Sequence, residues 1–136
     1  MSLSLDLRTI ESEASFEHVV ARLLDLIRER GLTLFADSDH AQNARDAGLE
    51  MPRTRVLTFG SGKAGTPLML AAPDLALELP LRILVRECRA GRAVLVYLDP
   101  ASLAGAFGVG SLAPAIAGIA AIAHAAAAVE PPASSS

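Results

Sequence analysis

Phe59-Gly60-Ser61-Gly62-Lys63-Ala64-Gly65-Thr66-Pro67-Leu68-Met69 is the run on which the fold turns. It leaves a hydrophobic strand, Arg53 to Phe59, passes three glycines grouped around a lysine, and opens a helix at Thr66-Pro67. Thr66 is the natural N-cap there, and Pro67 suits the first helical position, where its missing N–H costs nothing. The run contains G-x-G-x-x-G at Gly60, Gly62 and Gly65, the spacing of a dinucleotide-binding turn. That reading requires a helix long enough to return the chain for a parallel crossover. A helix bounded by Pro67 and Pro73 is under two turns, and the remaining chain lacks alternating β-α units. The spacing is read as a chance match among ten glycines. A P-loop is excluded too, because Gly62-Lys63 is followed by Ala64 rather than Ser or Thr.

Working outward, the elements order themselves by periodicity. Leu3, Leu5 and Leu7 alternate with polar residues, which predicts a half-buried strand. Phe16, Val19, Val20, Leu23, Leu24 and Ile27 form one apolar helical stripe, with Ser12 or Ser15 as cap and Gly31 as terminator. Leu32 to Asp37 reads as a strand, and Asp39 as the cap of a short helix, His40 to Ala47, closed by Gly48. Arg82 to Arg89 and Arg92 to Leu98 make a hairpin across Ala90-Gly91, with Ile83, Val85 and Glu87 on one face and Leu84 and Cys88 on the other. Asp99-Pro100 starts a turn of helix, and the last helix carries a narrow stripe of Leu112, Ile116, Ile119 and Ile122 in a field of alanine. The expected fold is α+β: a two-layer, mainly antiparallel sheet with helices packed on one face, in the order β-α-β-β-β-β-α with two short inserted helices. Residues 1–129 form a single domain in this reading, and 130–136 a disordered tail.

Composition narrows the function classes. The 136 residues carry a formal net charge of −3 and are 51% hydrophobic, so no basic face is implied and nucleic acid is excluded as a partner. Leu112 to Val129 has the length of a short membrane span, but ten of its 18 residues are alanine, so it reads as a soluble helix. The single cysteine, Cys88, rules out an internal disulfide and suits a reducing, cytoplasmic setting. Three scattered histidines and one cysteine do not space as a metal site, and no cofactor is expected.

The polar residues then divide into site candidates and structural ones. Lys63, the loop amides and Thr66 favour an anion, against the alternative of a glycine-lined turn with a solvated lysine. His40 at a strand-to-helix junction could act as a general base, or simply be exposed beside a capping Asp39. Glu87, Tyr97 and Asp99 lie at strand ends, where they could orient a ligand, although Asp99 already explains itself as a cap. These seven residues define the expected ligand site, where the 60–66 loop, the 39–40 junction and the 97–99 strand end would converge. Under a rival reading the protein is a hydrolase or isomerase using His40 or Cys88. Under a third it is an assembly module, pairing through the small residues of its alanine-rich last helix.

At the motif level the chain resembles the bacterial and archaeal family called domain of unknown function 302. The resemblance rests on Asp39-His40, Ala47-Gly48-Leu49, Phe59-Gly60, the run Lys63 to Met69, Ala71-Ala72-Pro73, Leu79-Pro80-Leu81, Glu87, Tyr97 and Asp99-Pro100. Members of that family usually show Asn-Pro where this chain has Ser61-Gly62. The resemblance implies a TATA-binding-protein-like β-α-β4-α fold, a homodimer and no assigned activity. The combined expectation is a small cytoplasmic, homo-oligomeric domain that binds a small, anionic molecule or serves as an accessory protein.

Overall fold

Strand pairing is antiparallel throughout a five-stranded sheet of order β1-β5-β4-β3-β2. The strands are β1 (Leu7–Ser15), β2 (Thr33–Asp39), β3 (Thr54–Gly60), β4 (Leu81–Glu87) and β5 (Arg92–Leu98). Between them run α1 (Phe16–Glu29), α2 (His40–Asp46) and α3 (Gly62–Ala71), and α4 (Pro100–Ala106) and α5 (Gly118–Ala127) follow β5. This computed structural model describes residues 5–129. The order is the expected β-α-β-β-β-β-α with short helices inserted, and no described helix is long and apolar enough to cross a membrane.

One face of the sheet is covered. Leu57 and Phe59 of β3, Ile83 and Val85 of β4, and Leu95 and Tyr97 of β5 meet the apolar stripe of α1 and the Ile119, Ile122, Ala123 and Ala126 side of α5. Alternation along each strand sends every second side chain to this face. Buried Ala123 and Ala126 let α5 approach closely, so part of its alanine content serves the home core. The opposite face carries Thr9, Val96, Leu84 and Val56 in one row across four strands. A smaller cluster of Leu68, Leu75, Leu103 and Ile116 joins α3, α4 and the turns around them.

Local chemistry explains the boundaries. Ser15 caps α1 by accepting from the His18 amide, and Asp39 caps α2 by accepting from the Gln42 amide. Gly31 and Gly48 follow these helices at φ of 68° and 79°, where a side chain would be strained. Ser12 does not cap α1. It is buried, and its hydroxyl donates to the Ala127 carbonyl, tying β1 to the end of α5.

Three elements differ from expectation. The described first strand begins at Leu7, so Leu5 precedes it, and Leu3 and the 130–136 tail lie outside the described residues. β1 takes its inward residues from the weakly apolar stretch that follows, including Ile10, Ser12 and Ala14. The last helix is split: a 3-10 turn spans Gly110–Ala115 around Pro114, and only Gly118–Ala127 is α-helical. Helix α3 starts at Gly62, with Ser61 rather than Thr66 at the N-cap, and holds Pro67 in its interior. The run after β3 is thus ten helical residues, longer than two turns. A parallel crossover is absent for another reason, since β4 returns antiparallel to β3.

Candidate functional site

Strand register separates residues expected to converge. Thr33 pairs with Gly60, and Phe59 with Leu81, so the glycine run leaves one end of the sheet. At the other end Asp39 pairs with Arg55 and Arg86 with Thr54, and Glu87 lies one step beyond. The seven residues of β3 between these ends span about 20 Å. Lys63 and Thr66 therefore sit at one end, while Asp39, His40, Glu87 and Cys88 sit at the other. Tyr97 and Asp99 return to the glycine end on β5, with β4 between them and β3.

The groups away from the glycine run have structural partners. Asp99 caps α4, accepting from the Ser102 amide, and lies 3.5 Å from Arg8. Tyr97 is packed in the core, and burial pushes its phenol above the ordinary value, with Asp99 adding to the shift and Arg8 opposing it. His40 is the exposed first residue of α2, and Cys88 is half-buried at the end of β4. Among the described residues no group of three His, Cys, Asp or Glu could hold a metal ion. Glu87 accepts from Arg53 at 2.7 Å. The same guanidinium pairs with Glu17 and lies 5.0 Å from the centre of the Phe16 ring. Arg53 thus clasps β4 to the start of α1.

That clasp predicts a pH dependence. The Arg53 hydrogen bond holds the Glu87 carboxyl below its ordinary value of 4.5. A carboxylate depressed in the folded state stabilises fully above its unfolded value and loses that contribution as pH falls through the folded one. Thermal melts from about pH 6 to about pH 3 should show the parent protein losing its advantage over Glu87→Gln at the acid end. A gap between the two that is constant with pH would mean the clasp adds nothing.

The glycine end holds a cavity that the sequence did not disclose. It measures about 330 Å³. Ser61, Gly62, Ala64 and Gly65 form one wall, the cis-linked Leu79-Pro80 a second, and Ile116, Ile119 and Ile122 a third. Phe59 and Phe35 close the side toward the sheet. Phe35 reaches it through an irregularity in the β2–β3 register, where Leu34 faces Phe59 and Ala36 faces Thr58, leaving Phe35 without an opposite number. Such a bulge re-aims a side chain that regular alternation would place elsewhere. Among the described residues no Asp, Glu, Lys, Arg or His lines the cavity; Lys63 lies between two lining residues but is itself exposed.

The glycines of this wall keep space open. Neither Gly62 nor Gly65 has a positive φ, so the backbone does not require glycine. A Cβ on Gly65 would meet Leu79 Cδ1 at 3.8 Å and the Met69 methyl at 3.9 Å, ordinary contacts, and one on Gly62 would meet nothing within 4 Å. Each glycine inside a helix costs about 1 kcal/mol against alanine. In return, side chains that would narrow the cavity are absent. Ser61 at its mouth makes no capping bond to its own helix.

Three comparisons with known proteins bear on this arrangement. The family model "Domain of unknown function DUF302" matches residues 8–129. The crystal structure of a DUF302 protein from Bacillus stearothermophilus superposes with a TM-score of 0.74 at 15% identity, covering 89% of this chain and 94% of that one. "Fluoride-specific ion channel FluC 1" of Brucella suis biovar 1 (strain 1330) is 35% identical over 96 residues, which is 71% of this chain. "Fluoride-specific ion channel FluC 2" of Brucella melitensis biotype 1 shows the same identity over the same length. The chain spans 38% of the first of these proteins and 36% of the second, well under half of either.

Proposed function

The chain belongs to the DUF302 family, and from that premise we propose that it is a small-molecule-binding accessory domain whose site is the cavity beside Gly60 to Gly65. The observation that carries this reading is the cavity itself, about 330 Å³ and walled in part by the glycine run, Ser61 to Gly65. Apolar clefts of this size with few polar groups are the usual form of small-molecule sites. Binding rather than catalysis is favoured because His40 and Cys88 lie at the far end of the sheet. Lys63, expected to hold an anion, stands exposed outside the wall, so it contributes at most a contact at the rim.

The matched relatives support an accessory role. They are named as fluoride-specific channels, and this chain corresponds to a minor share of each. With no described helix able to cross a membrane, the matched segment is read as an attendant part rather than a conducting one. A cytoplasmic location and self-association complete the proposal. Pairing draws support from the row Val96, Leu84 and Val56, half-buried on the sheet face opposite α1 and α5.

Native mass spectrometry of the protein purified from its own host tests the reading. A discrete added mass should be present, should leave on denaturation, and should be reduced in Gly65→Leu. A clean mass for the parent protein, together with unchanged resonances at Gly60 to Gly65 in a screen of small molecules, would overturn it.

A further inference from the structure

The cavity's walls define the chemistry of what it holds, a step that rests on the site reading above. We infer that its ligand is an uncharged, largely hydrocarbon molecule of small size. Leu79, Met69, Phe59, Ile119 and Ile122 supply hydrocarbon or ring surface along the walls of this half-open cleft, and none of the described lining residues bears a charge. An ion taken inside would leave water without a counter-charge to meet it. A hydrocarbon group would gain burial and displace water that these walls cannot hydrogen-bond. The polar exceptions are the Ser61 hydroxyl, which caps nothing, and backbone groups near it. They fit a single hydroxyl or carbonyl at one end of the ligand.

Space within the cavity is preserved where the chain could have filled it. A methyl at position 65 would meet the Leu79 and Met69 side chains at ordinary contact distance, so alanine fits there. Glycine stands there despite its penalty inside a helix. A packing flaw would be open to partial correction by alanine at this position.

The test is a titration of the parent protein with straight-chain alcohols from butanol to nonanol and with the matched carboxylates, followed by backbone amide resonances. Affinity for the alcohols should rise about fourfold per added methylene until the cavity is full and then level off. Each alcohol should bind at least as tightly as its carboxylate, with shifts centred on Gly60 to Gly65 and Ile119. Gly65→Ala should melt no lower than the parent, and Gly65→Leu, checked as folded by its amide dispersion, should bind heptanol at least about tenfold more weakly. Carboxylates that bind more tightly than alcohols, at the same residues, would overturn the ligand class and leave the site standing. Shifts centred elsewhere, or Gly65→Leu binding like the parent, would remove the site as well.

Discussion

Replacing Leu95 with alanine should destabilise the protein by about 3 to 5 kcal/mol, the largest single effect expected in the sheet. Leu95 is fully buried on β5, with Ile10 opposite on β1 and Val85 opposite on β4. Its removal leaves a gap under α1 and α5 that neighbours held in flanking strands β1 and β4 cannot collapse to fill. Against a total stability of about 5 to 15 kcal/mol, a loss of this size would unfold much of the population under mild stress. Urea denaturation should show the midpoint falling with an unchanged slope. Leu84→Ala is the internal control. Leu84 faces the other side of the sheet, half-buried, and should cost less than about 1.5 kcal/mol. Equal losses at the two positions would mean that the outer face is covered in solution, as self-association through Val96, Leu84 and Val56 would do.

The fold was legible where one face of an element is buried and the other is wet. The stripe of α1 and the split of β4 into Ile83 and Val85 against Leu84 follow directly from burial on one side. The caps were legible for the same local reason: Asp39, Ser15 and Asp99 each carry an oxygen that can reach an amide three residues on. The start of β1 was not. Its inward positions include Ala14 and Ser12, whose burial depends on a hydrogen bond to Ala127 at the far end of the chain. No local pattern encodes that partner. Pro67 misled for a related reason. Proline fits a first helical turn, but here the helix has already begun at Gly62, and packing of Leu68 against Leu75 and Leu103 outweighs the lost bond.

Of the segments expected to converge on one site, only the glycine run borders the cavity. The glycine run does border the cavity, but Lys63 does not line it, and the strand-end acids are distributed by a register that one-dimensional reading cannot supply. Asp39 and Lys63 are both beside a glycine-terminated element in sequence, yet β3 places them about a strand length apart. The hydrophobic half of the site was hidden more deeply. Phe35 enters through an unpaired strand position, Ile119 through a helix more than fifty residues later, and neither looks unlike a core residue until the chain is folded. A signal was present only in the negative: glycines at 62 and 65 that no backbone angle requires.

Ile119 is where stability and binding meet, and Ile119→Ala should separate them. The residue is buried on the inner side of α5 in the main core, and it also forms part of the cavity wall. Truncation should cost about 2 to 4 kcal/mol, because the side chain is nearly enclosed and the gap it leaves opens into existing empty space rather than closing. That same gap enlarges the cavity. The variant should therefore melt lower, lose affinity for the shortest alcohols through missing wall contacts, and level off at a longer chain than the parent does. A residue that serves only the core would lower the melting temperature and leave the chain-length profile where it was. One that serves only the site would shift the profile with little change in melting. Both readouts moving together is the outcome that the position of Ile119, on α5 between the sheet and the glycine wall, requires.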